Sequence, residues 1–178
     1  MKRTISNKNN LQILFEDNHL IAINKRCGDI VQGDKTGDSP LSNIVKSFIK
    51  TKYSKQGNVY LGTPHRLDRP TSGVVIFAKT SKSLVRLNKL FKSGKVQKFY
   101  WAITKQKPGK LQDTLTHWLR KNEKNNKSTH FKKETEKAKK AVLHYKIIKE
   151  LDRYFLLQIE LETGRHHQIR CQLSAIGC

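Results

Sequence analysis

The sequence predicts an α+β fold. Strand-like runs dominate the chain, and helical segments interrupt them without the regular strand–helix–strand alternation of a parallel sheet. The 178 residues match the size of one domain, and a chain of that length buries about 70% of the surface that its unfolded form exposes. We therefore expect one core built from strands, with a few helices packed against them.

The N-terminal part predicts two strands, a loop and a helix. Residues 11–15 and 19–24 read as short strands, and residues 25–38 read as a loop rich in Gly and Asp. Ser39 is a predicted helix cap, and Pro40 suits the first helical position. The apolar residues that follow have the spacing of one helical face: Leu41, Ile44, Val45, Phe48 and Ile49.

A buried strand and a second helix are predicted next. Residues 74–78 are a continuous apolar run, which predicts a buried strand. The second helix is predicted from Thr80 or Ser81 to Ser93, and Gly94 is its stop signal. Four apolar residues of this helix are expected to point inward: Leu84, Leu87, Leu90 and Phe91.

Strands also dominate the C-terminal part. Residues 96–104, 111–118, 141–149 and 154–161 read as strands, and a helix is predicted within residues 165–176. Between them, residues 121–140 contain eight lysines, three glutamates and almost no apolar side chain. Such a charge run predicts a mobile, solvated loop, with contact to RNA phosphates as the alternative.

The charge of the chain points to a polyanionic partner. Lys and Arg number 36 against 14 acidic residues, which gives a net charge of +22. A soluble domain with this excess is typical of proteins that bind nucleic acid, and such binding weakens as salt rises. The many Lys and Asn residues leave a compositional bias of the organism open as a second explanation.

Cysteine spacing and hydropathy exclude several other classes. Cys27, Cys171 and Cys178 show no paired spacing, so neither a disulfide framework nor a zinc site is indicated. Residues 1–10 form a polar tail without a secretory signal, and no apolar run approaches the ~20 residues that span a bilayer. We expect a cytoplasmic protein with no membrane partner.

The most informative segment is residues 64–73, Pro-His-Arg-Leu-Asp-Arg-Pro-Thr-Ser-Gly. It surrounds the carboxylate of Asp68 with His65, Arg66 and Arg69. A carboxylate on a turn, with cations around it, stays ionised at neutral pH, and that is the state a nucleophile needs. The spacing alone also fits, and even favours, an Asp that bonds its own backbone in a turn.

Four segments, in order, resemble the RluA-type pseudouridine synthases. The resemblance runs from about residue 11 to the last residue and is carried by these motifs: His65-Arg66-Leu67-Asp68-x-x-Thr71-Ser72-Gly73; Glu16-Asp17-Asn18-His19-Leu20 followed by Asn24-Lys25; Lys98-Phe99-Tyr100-Trp101-Ala102; and Leu161-Glu162-Thr163-Gly164-Arg165-His166-His167-Gln168-Ile169-Arg170. Together they are far more specific than any one of them.

The resemblance implies a fold, a reaction and a partner. The fold is a mixed, largely antiparallel sheet with flanking helices and a central RNA-binding cleft. The activity is isomerisation of uridine to pseudouridine in structured RNA, ribosomal or transfer. We expect a monomer without a nucleotide cofactor, because no dinucleotide or phosphate-cradle motif is present. No metal is expected, because the adjacent His166 and His167 do not make a metal site by themselves.

The same resemblance assigns candidate catalytic roles. It implies that Asp68 is the nucleophile, that Tyr100 stacks on the uracil and helps remove the C5 proton, and that Arg170 pairs with the catalytic carboxylate. Without the family match, Tyr100 reads as a core tyrosine and Arg170 as one more surface arginine. Whether Asp68 attacks the ribose C1′ or promotes elimination to a glycal stays open.

Six further residues are candidate RNA contacts. The resemblance suggests that Arg66 displaces the target base or holds the flipped nucleotide, since a base inside a helix must be turned out to reach a cleft. Lys98 fits a phosphate contact and an exposed strand lysine equally well. The complete set is His65, Arg66, Arg69, Lys98, Arg165 and His167.

One departure and two rival functions remain. Family members continue well past the last motif, so the catalytic domain over residues 11–178 is expected to lack C-terminal strands. A glycosidase or nucleosidase would need a second carboxylate, and Glu160 and Glu162 are the nearest candidates. A non-enzymatic RNA-binding protein, or an inactive truncated paralogue, fits the charge but does not explain Asp68, Tyr100 and Arg170 together.

Overall fold

The chain forms two compact units, each with its own antiparallel sheet. A computed structural model describes residues 5–33 and 37–178, and the chain divides into Met1–Ser93 and Gly94–Cys178. The predicted α+β class is confirmed. Every strand pairing within the described ranges is antiparallel, so the parallel part of the predicted mixed sheet is not found there. The predicted central cleft stays a prediction.

The first unit contains a three-stranded sheet and two helices. Its strands are β1 (Ile13–Glu16), β2 (Leu20–Lys25) and β3 (Gly73–Ala78), in the order β1-β2-β3. Helix α1 covers Leu41–Lys52, and helix α2 covers Ser81–Lys92. The prediction of strand, strand, helix, strand and helix over this half is therefore confirmed.

Helix α1 closes the core of the first unit. Its buried face packs against alternate residues of β2 and β3 in one cluster: Leu41, Val45, Ile49, Ile21, Ile23, Val75 and Phe77. Only one face of β3 is covered by this packing, and Val74 is 53% exposed. The predicted buried strand over residues 74–78 is therefore confirmed for Val75, Phe77 and Ala78 but not for Val74, because a continuous apolar run does not distinguish one covered face from two.

Backbone carbonyls replace the predicted cap of α1. The amide of Leu41 donates to the carbonyl of Ile30 at 2.7 Å, and that of Ser42 donates to the carbonyl of Val31 at 3.2 Å. Pro40 occupies the N-cap position without a side-chain hydrogen bond, so the Ser39 cap was wrong. The preceding loop satisfies the helix terminus, which no local pattern reveals.

Helix α2 begins and ends as the sequence indicates, but it is less buried than predicted. Thr80 and Ser83 form a reciprocal capping box. Gly94 follows the helix with φ of 69°, the left-handed conformation that favours glycine. Ser83 is the one buried residue of α2, and Leu90, predicted to point inward, is 41% exposed.

The second unit is built on a five-stranded sheet. Its strands are β4 (Phe99–Thr104), β5 (Gln112–Asn122), β6 (Lys127–Phe131), β7 (Lys139–Glu150) and β8 (Phe155–Leu161). The spatial order is β4-β8-β7-β5-β6, so β4 and β5 are not neighbours although they are consecutive in the chain.

A short helix covers one face of this sheet. Helix α3 spans Gln168–Ser174, and Leu173 packs against a cluster formed by Leu115, Leu143, Tyr145, Leu157, Ile159 and Leu161. The helix is shorter than the predicted range of residues 165–176. Its start is delayed because the preceding His167 has φ of 50°, which interrupts helical geometry.

The lysine-rich segment is largely a β-hairpin, so the prediction of a mobile loop over residues 121–140 is wrong. Strand β5 continues to Asn122, and it pairs with β6 through a turn in which Asn126 has φ of 51°. Asn tolerates this left-handed conformation better than most residues. The charge run masked the Asn125-Asn126 turn and the alternation of β6.

The predicted polar tail is partly held in place. Residues 1–4 lie outside the described residues. Ser6 is buried, and its amide and hydroxyl donate to the two carboxylate oxygens of Asp29 at 2.9 and 2.6 Å. The tail description therefore fails at Ser6, because one buried carboxylate accepts both hydrogen bonds.

One carboxylate ties the ends of three elements together in the first unit. Glu16 at the end of β1 accepts hydrogen bonds from Lys52, Tyr53 and Lys79, at 2.7, 2.9 and 2.8 Å. Its side chain is 8% exposed. Burial raises the pKa of this carboxyl, but the hydrogen bonds from Lys52, Lys79 and Tyr53 outweigh it and lower the pKa to about 2.

Replacing this carboxylate should destabilise the first unit in a pH-dependent way. The folded pKa of Glu16 lies below its ordinary value of 4.5, so its stabilisation is fully present above about pH 4.5 and is lost as the pH falls through 2. We expect Glu16→Gln to lower the free energy of unfolding by about 2 kcal/mol at pH 7, with a smaller difference at pH 3. Urea unfolding at both pH values measures this.

Glu134 supplies the control for this experiment, since its side chain is exposed. Glu134→Gln should leave the unfolding free energy unchanged within about 0.5 kcal/mol. Equal stability of the Glu16→Gln variant and the parent at pH 7 would contradict the role of the network.

Candidate functional site

The candidate residues divide between the two units. His65, Arg66, Asp68 and Arg69 belong to the first unit, and Lys98, Tyr100, Arg165, His167 and Arg170 belong to the second. Each group can be described from the contacts within its own unit.

Asp68 lies on an exposed turn that leads into β3. The turn is closed by the amide of Thr71, which donates to the carbonyl of Asp68 at 3.0 Å. Gly73 then enters the strand with φ of 132°, a conformation that side chains disfavour. The chain therefore presents the Asp68 side chain at the surface of a short turn rather than inside the sheet.

A buried lysine donates hydrogen bonds to the backbone of this turn. Lys25 is fully buried at the end of β2. Its ammonium donates to the carbonyls of Arg26, Arg69 and Thr71, at 3.1, 3.1 and 2.6 Å. An ammonium has three N–H donors, so three carbonyls satisfy it completely. Two of these carbonyls belong to the turn that carries Asp68.

The opening loop adds a second attachment to the same turn. The amide of Gly28 donates to the carbonyl of Arg69 at 2.8 Å, so this one oxygen accepts from both Gly28 and Lys25. Burial lowers the pKa of Lys25, and the carboxylates of Asp29 and Asp68 act in the opposite direction. The sequence placed Lys25 in a matched motif but gave no sign that its ammonium is buried under the turn.

His65 fastens the start of the signature segment to the sheet. Its Nε2 accepts a hydrogen bond from the amide of Ile76 in β3 at 3.0 Å, and its ring stacks on Phe91 of α2. Burial lowers the pKa of this imidazole, and a nitrogen that accepts a hydrogen bond carries no proton, so Nε2 is the unprotonated nitrogen of the ring. The geometry gives His65 a structural contact, and its contact with RNA stays a prediction.

The two arginines of the signature differ in their surroundings. Arg66 is exposed, and it lies two residues before Asp68. Arg69 forms an ion pair with Asp38 across the opening loop. This pair joins the turn to the residues that precede α1.

Tyr100 lies on β4 of the second unit. It is opposite Ile159 of β8, on the sheet face that α3 covers. The ring is partly buried and packs against the apolar cluster of that face. The backbone of the sheet and this packing together fix the position of the phenol.

A buried amide orders the loop before α3. Gln168 accepts at Oε1 from the hydroxyl of Thr163 at 2.8 Å and from the amide of Arg165 at 2.9 Å. Its Nε2 donates to the carbonyl of Val142 in β7 at 3.0 Å. This side chain closes the loop on itself and ties it to the sheet. Sequence reasoning named the motif but missed Gln168 as the residue that holds it.

Lys98 and Arg165 also bond the backbone of this region. The ammonium of Lys98 donates to the carbonyl of Glu162 at 3.1 Å, and burial together with the nearby Arg165 lowers its pKa. Arg165 donates from Nε to the carbonyl of Lys140 at 2.9 Å. Neither alternative for Lys98 anticipated this contact.

The remaining candidates of the second unit lie at the start of α3. His167 is its N-cap residue, and its ring stacks on that of His166 with centroids 3.8 Å apart. Arg170 is exposed on the first turn of the helix. The ordered loop therefore fixes the start of α3, and the guanidinium of Arg170 lies at the surface of the second unit.

One candidate for the second carboxylate of a glycosidase, Glu162, contacts a histidine. Glu162 lies 2.7 Å from Nε2 of His144, whose Nδ1 lies 2.8 Å from the hydroxyl of Thr114. These residues line the open face of the sheet in the second unit. The pairing gives no support to Glu162 as the second acid of a hydrolase.

The described residues contain neither a metal-binding cluster nor a membrane-spanning helix. Over residues 5–33 and 37–178, His, Cys, Asp and Glu do not cluster in threes suitable for a metal ion. In the same ranges, the helices are too short or too polar to cross a bilayer.

Comparison with known proteins identifies relatives that match most of the chain. A family model described as RNA pseudouridylate synthase matches residues 19–175. The chain is 34% identical to ribosomal large subunit pseudouridine synthase D of Zymomonas mobilis, covering 94% of this chain and 53% of that protein. It is 30% identical to tRNA pseudouridine synthase C of Pectobacterium carotovorum, covering 93% and 45%.

A solved structure shares the fold. Human RNA pseudouridylate synthase domain containing 4 superposes with a TM-score of 0.79 at 25% identity, covering 94% of this chain and 65% of that chain. The chain thus spans about half the length of the curated relatives it matches.

Removing the buried ammonium should loosen the signature turn. We expect Lys25→Met to lower the free energy of unfolding by about 3 kcal/mol, because three carbonyls lose their hydrogen-bond donor while the side-chain volume is kept. We also expect faster amide hydrogen exchange in the peptide that covers residues 66–73. Urea unfolding and exchange mass spectrometry measure the two effects.

The exposed Lys82 of α2 provides the matched control. Lys82→Met should change neither quantity. Unchanged exchange over residues 66–73 in the Lys25→Met variant would show that the ammonium does not hold the turn.

Proposed function

The chain belongs to the RNA pseudouridylate synthase family, and from that premise we propose that it isomerises uridine to pseudouridine in structured RNA. The observation that carries the proposal is the Asp68 turn. Asp68 is the single carboxylate of this family-matched segment, and Lys25, Gly28 and Thr71 fix the backbone of the turn. A nucleophile benefits from such a support because its reactive atom must be held in position.

The proposed chemistry needs few groups. The C1′–N1 bond of uridine breaks, the base turns, and a C5–C1′ bond forms, while the C5 proton is lost and N1 gains a proton. No redox change occurs and no atom is lost overall. A carboxylate, a pocket that holds the base and a proton acceptor are sufficient. We propose Asp68 as the carboxylate that assists cleavage at C1′.

Tyr100 and Arg170 are the other proposed catalytic residues. The ring of Tyr100 offers an aromatic face for the uracil, and base stacking on such a ring is worth about 1–3 kcal/mol. Its phenol supplies a polar group for the C5 proton. Arg170 is proposed to pair with the carboxylate, an arrangement in which a guanidinium orients its partner through two parallel hydrogen bonds.

The proposed RNA contacts agree with the surface chemistry. Arg66 is exposed beside the Asp68 turn, which suits a residue that replaces or holds the extruded base. Arg69, Lys98, Arg165 and His167 remain proposed contacts, and His65 is the weakest of the set because its ring bonds Ile76. The net charge of +22 supports a polyanionic substrate.

The substrate class follows from the relatives by analogy. Relatives carry names that refer to the ribosomal large subunit or to tRNA, and we propose that one of these two RNAs is the substrate. We also propose that the protein acts as a monomer in the cytoplasm. The alternative of a non-enzymatic RNA-binding protein would leave the supported Asp68 turn without a role.

The nucleophile can be tested by one isosteric change. We expect Asp68→Asn to reduce pseudouridine formation by about 10⁴-fold or more, because an amide cannot replace a carboxylate nucleophile. Affinity for RNA should stay within about twofold, since Asn keeps the shape of the side chain. Product is measured by mass spectrometry of nucleosides from treated ribosomal and transfer RNA.

Asp152→Asn is the control, because Asp152 is also exposed but lies outside the matched segments. Its activity should equal that of the parent protein. Normal turnover by the Asp68→Asn variant would remove Asp68 as the nucleophile. Release of free uracil by the parent would instead indicate a hydrolase.

A further inference from the structure

The hairpin of β5 and β6 has two faces of different chemistry. Cross-strand pairing sets the faces, since residues opposite each other point the same way. One face carries Leu119 and Ser128 and lies against the α3 region. The other face, which we call the outer hairpin face, consists of Trp118, Arg120, Asn122, Lys127, Thr129 and Phe131, with Lys140 of β7 opposite Trp118.

The outer hairpin face combines cations with aromatic rings. Arg120, Lys127 and Lys140 are exposed, and Trp118 and Phe131 are partly exposed. The guanidinium carbon of Arg120 lies 4.9 Å from the centre of the Phe131 ring. Among the strand positions of this face there is no acidic residue. None of its three cations takes part in an ion pair with another described residue.

The opposite face anchors the hairpin to the loop that precedes α3. The hydroxyl of Ser128 donates to the carbonyl of His166 at 2.6 Å and lies 2.9 Å from Nδ1 of the same residue. The thiol of Cys171 donates to the carbonyl of Ser128 at 3.4 Å. The outer hairpin face is therefore held in a fixed position relative to the loop with Arg165 and the helix with Arg170.

We propose that the outer hairpin face is a second RNA-binding surface, which takes unpaired nucleotides away from the target uridine, since it lies on the sheet face opposite to Tyr100. Its cations suit phosphates, and its aromatic rings can stack only on bases that are not already stacked in a duplex. The proposal rests on the proposed function. It adds a surface outside the four matched motifs.

A charge-neutral double variant tests the cations. The probe is a fluorescein-labelled stem–loop RNA with a uridine-rich loop, and binding to the full chain is titrated over a range of salt. Arg120→Gln with Lys127→Gln should weaken binding about tenfold at moderate salt. It should also reduce the slope of log affinity against log salt by about 1.4, at roughly 0.7 for each phosphate contact in a single strand. We expect KM for RNA to rise and kcat to change little.

The control removes the same charge elsewhere. Lys82 and Lys89 are exposed on α2, and Lys82→Gln with Lys89→Gln should leave binding nearly unchanged. Equal losses in both double variants would overturn the proposal, because total charge alone would then explain them. A double hairpin variant that binds like the parent would overturn it as well.

An aromatic variant separates stacking from charge. Phe131→Leu keeps an apolar side chain, and it should weaken binding about fivefold without changing the salt slope. An unchanged affinity would remove the stacking part of the proposal, and a changed slope would contradict it.

The outcomes also separate this proposal from the proposed function. Weak binding by the double hairpin variant, together with a parent chain that makes no pseudouridine, would support the surface and reject the enzyme. A parent chain that isomerises uridine, with a hairpin variant that binds normally, would reject the surface alone. A parent chain that binds no RNA would reject both.

Discussion

A buried ammonium under the Asp68 turn is the interaction on which the first unit depends. Lys25 gives all three of its N–H groups to carbonyls, and two of them belong to the turn. Burying a charge is costly unless hydrogen bonds satisfy it fully. That cost favours one path of the backbone. Any other path that moves a carbonyl away from the Lys25 ammonium leaves a buried N–H group without a hydrogen bond. The position of an exposed carboxylate is thus determined by a residue that never reaches the surface.

In the second unit, a neutral side chain fixes the path of the corresponding connection. Gln168 bonds Thr163, Arg165 and Val142, so one buried amide fixes the loop before α3. The backbone strain at His167 persists beside it, since the surrounding bonds define the path of the chain. In both units, buried polar side chains determine the path of a short connection that carries or precedes exposed candidate residues.

What the sequence could predict follows from this difference between exposed candidate residues and the buried polar side chains that support them. Periodicity identified the helices and most strands, because the burial of Leu41, Val45 and Ile49 repeats with the helical period. Motifs supplied Asp68, Tyr100 and Arg170 as candidates, since these residues lie in matched segments, and their roles stay predictions. The sequence did not predict the roles of Lys25 and Gln168, because their side chains donate to carbonyls that are 46 and 26 residues away along the chain. The Ser39 cap failed for a related reason, as carbonyls of Ile30 and Val31 took its place.

The lysine-rich hairpin shows why composition alone misjudges a segment. Charge density says how strongly a stretch interacts with water, but pairing with a neighbouring strand decides whether its backbone is ordered. Here β5 extends beyond its pairing with β7, and β6 satisfies the additional backbone groups. Ser128 then secures the pair to the loop before α3. Because the hairpin is ordered, its charged side chains lie on defined faces. A face that combines cations with aromatic rings suits RNA, whereas a disordered lysine run presents no such face.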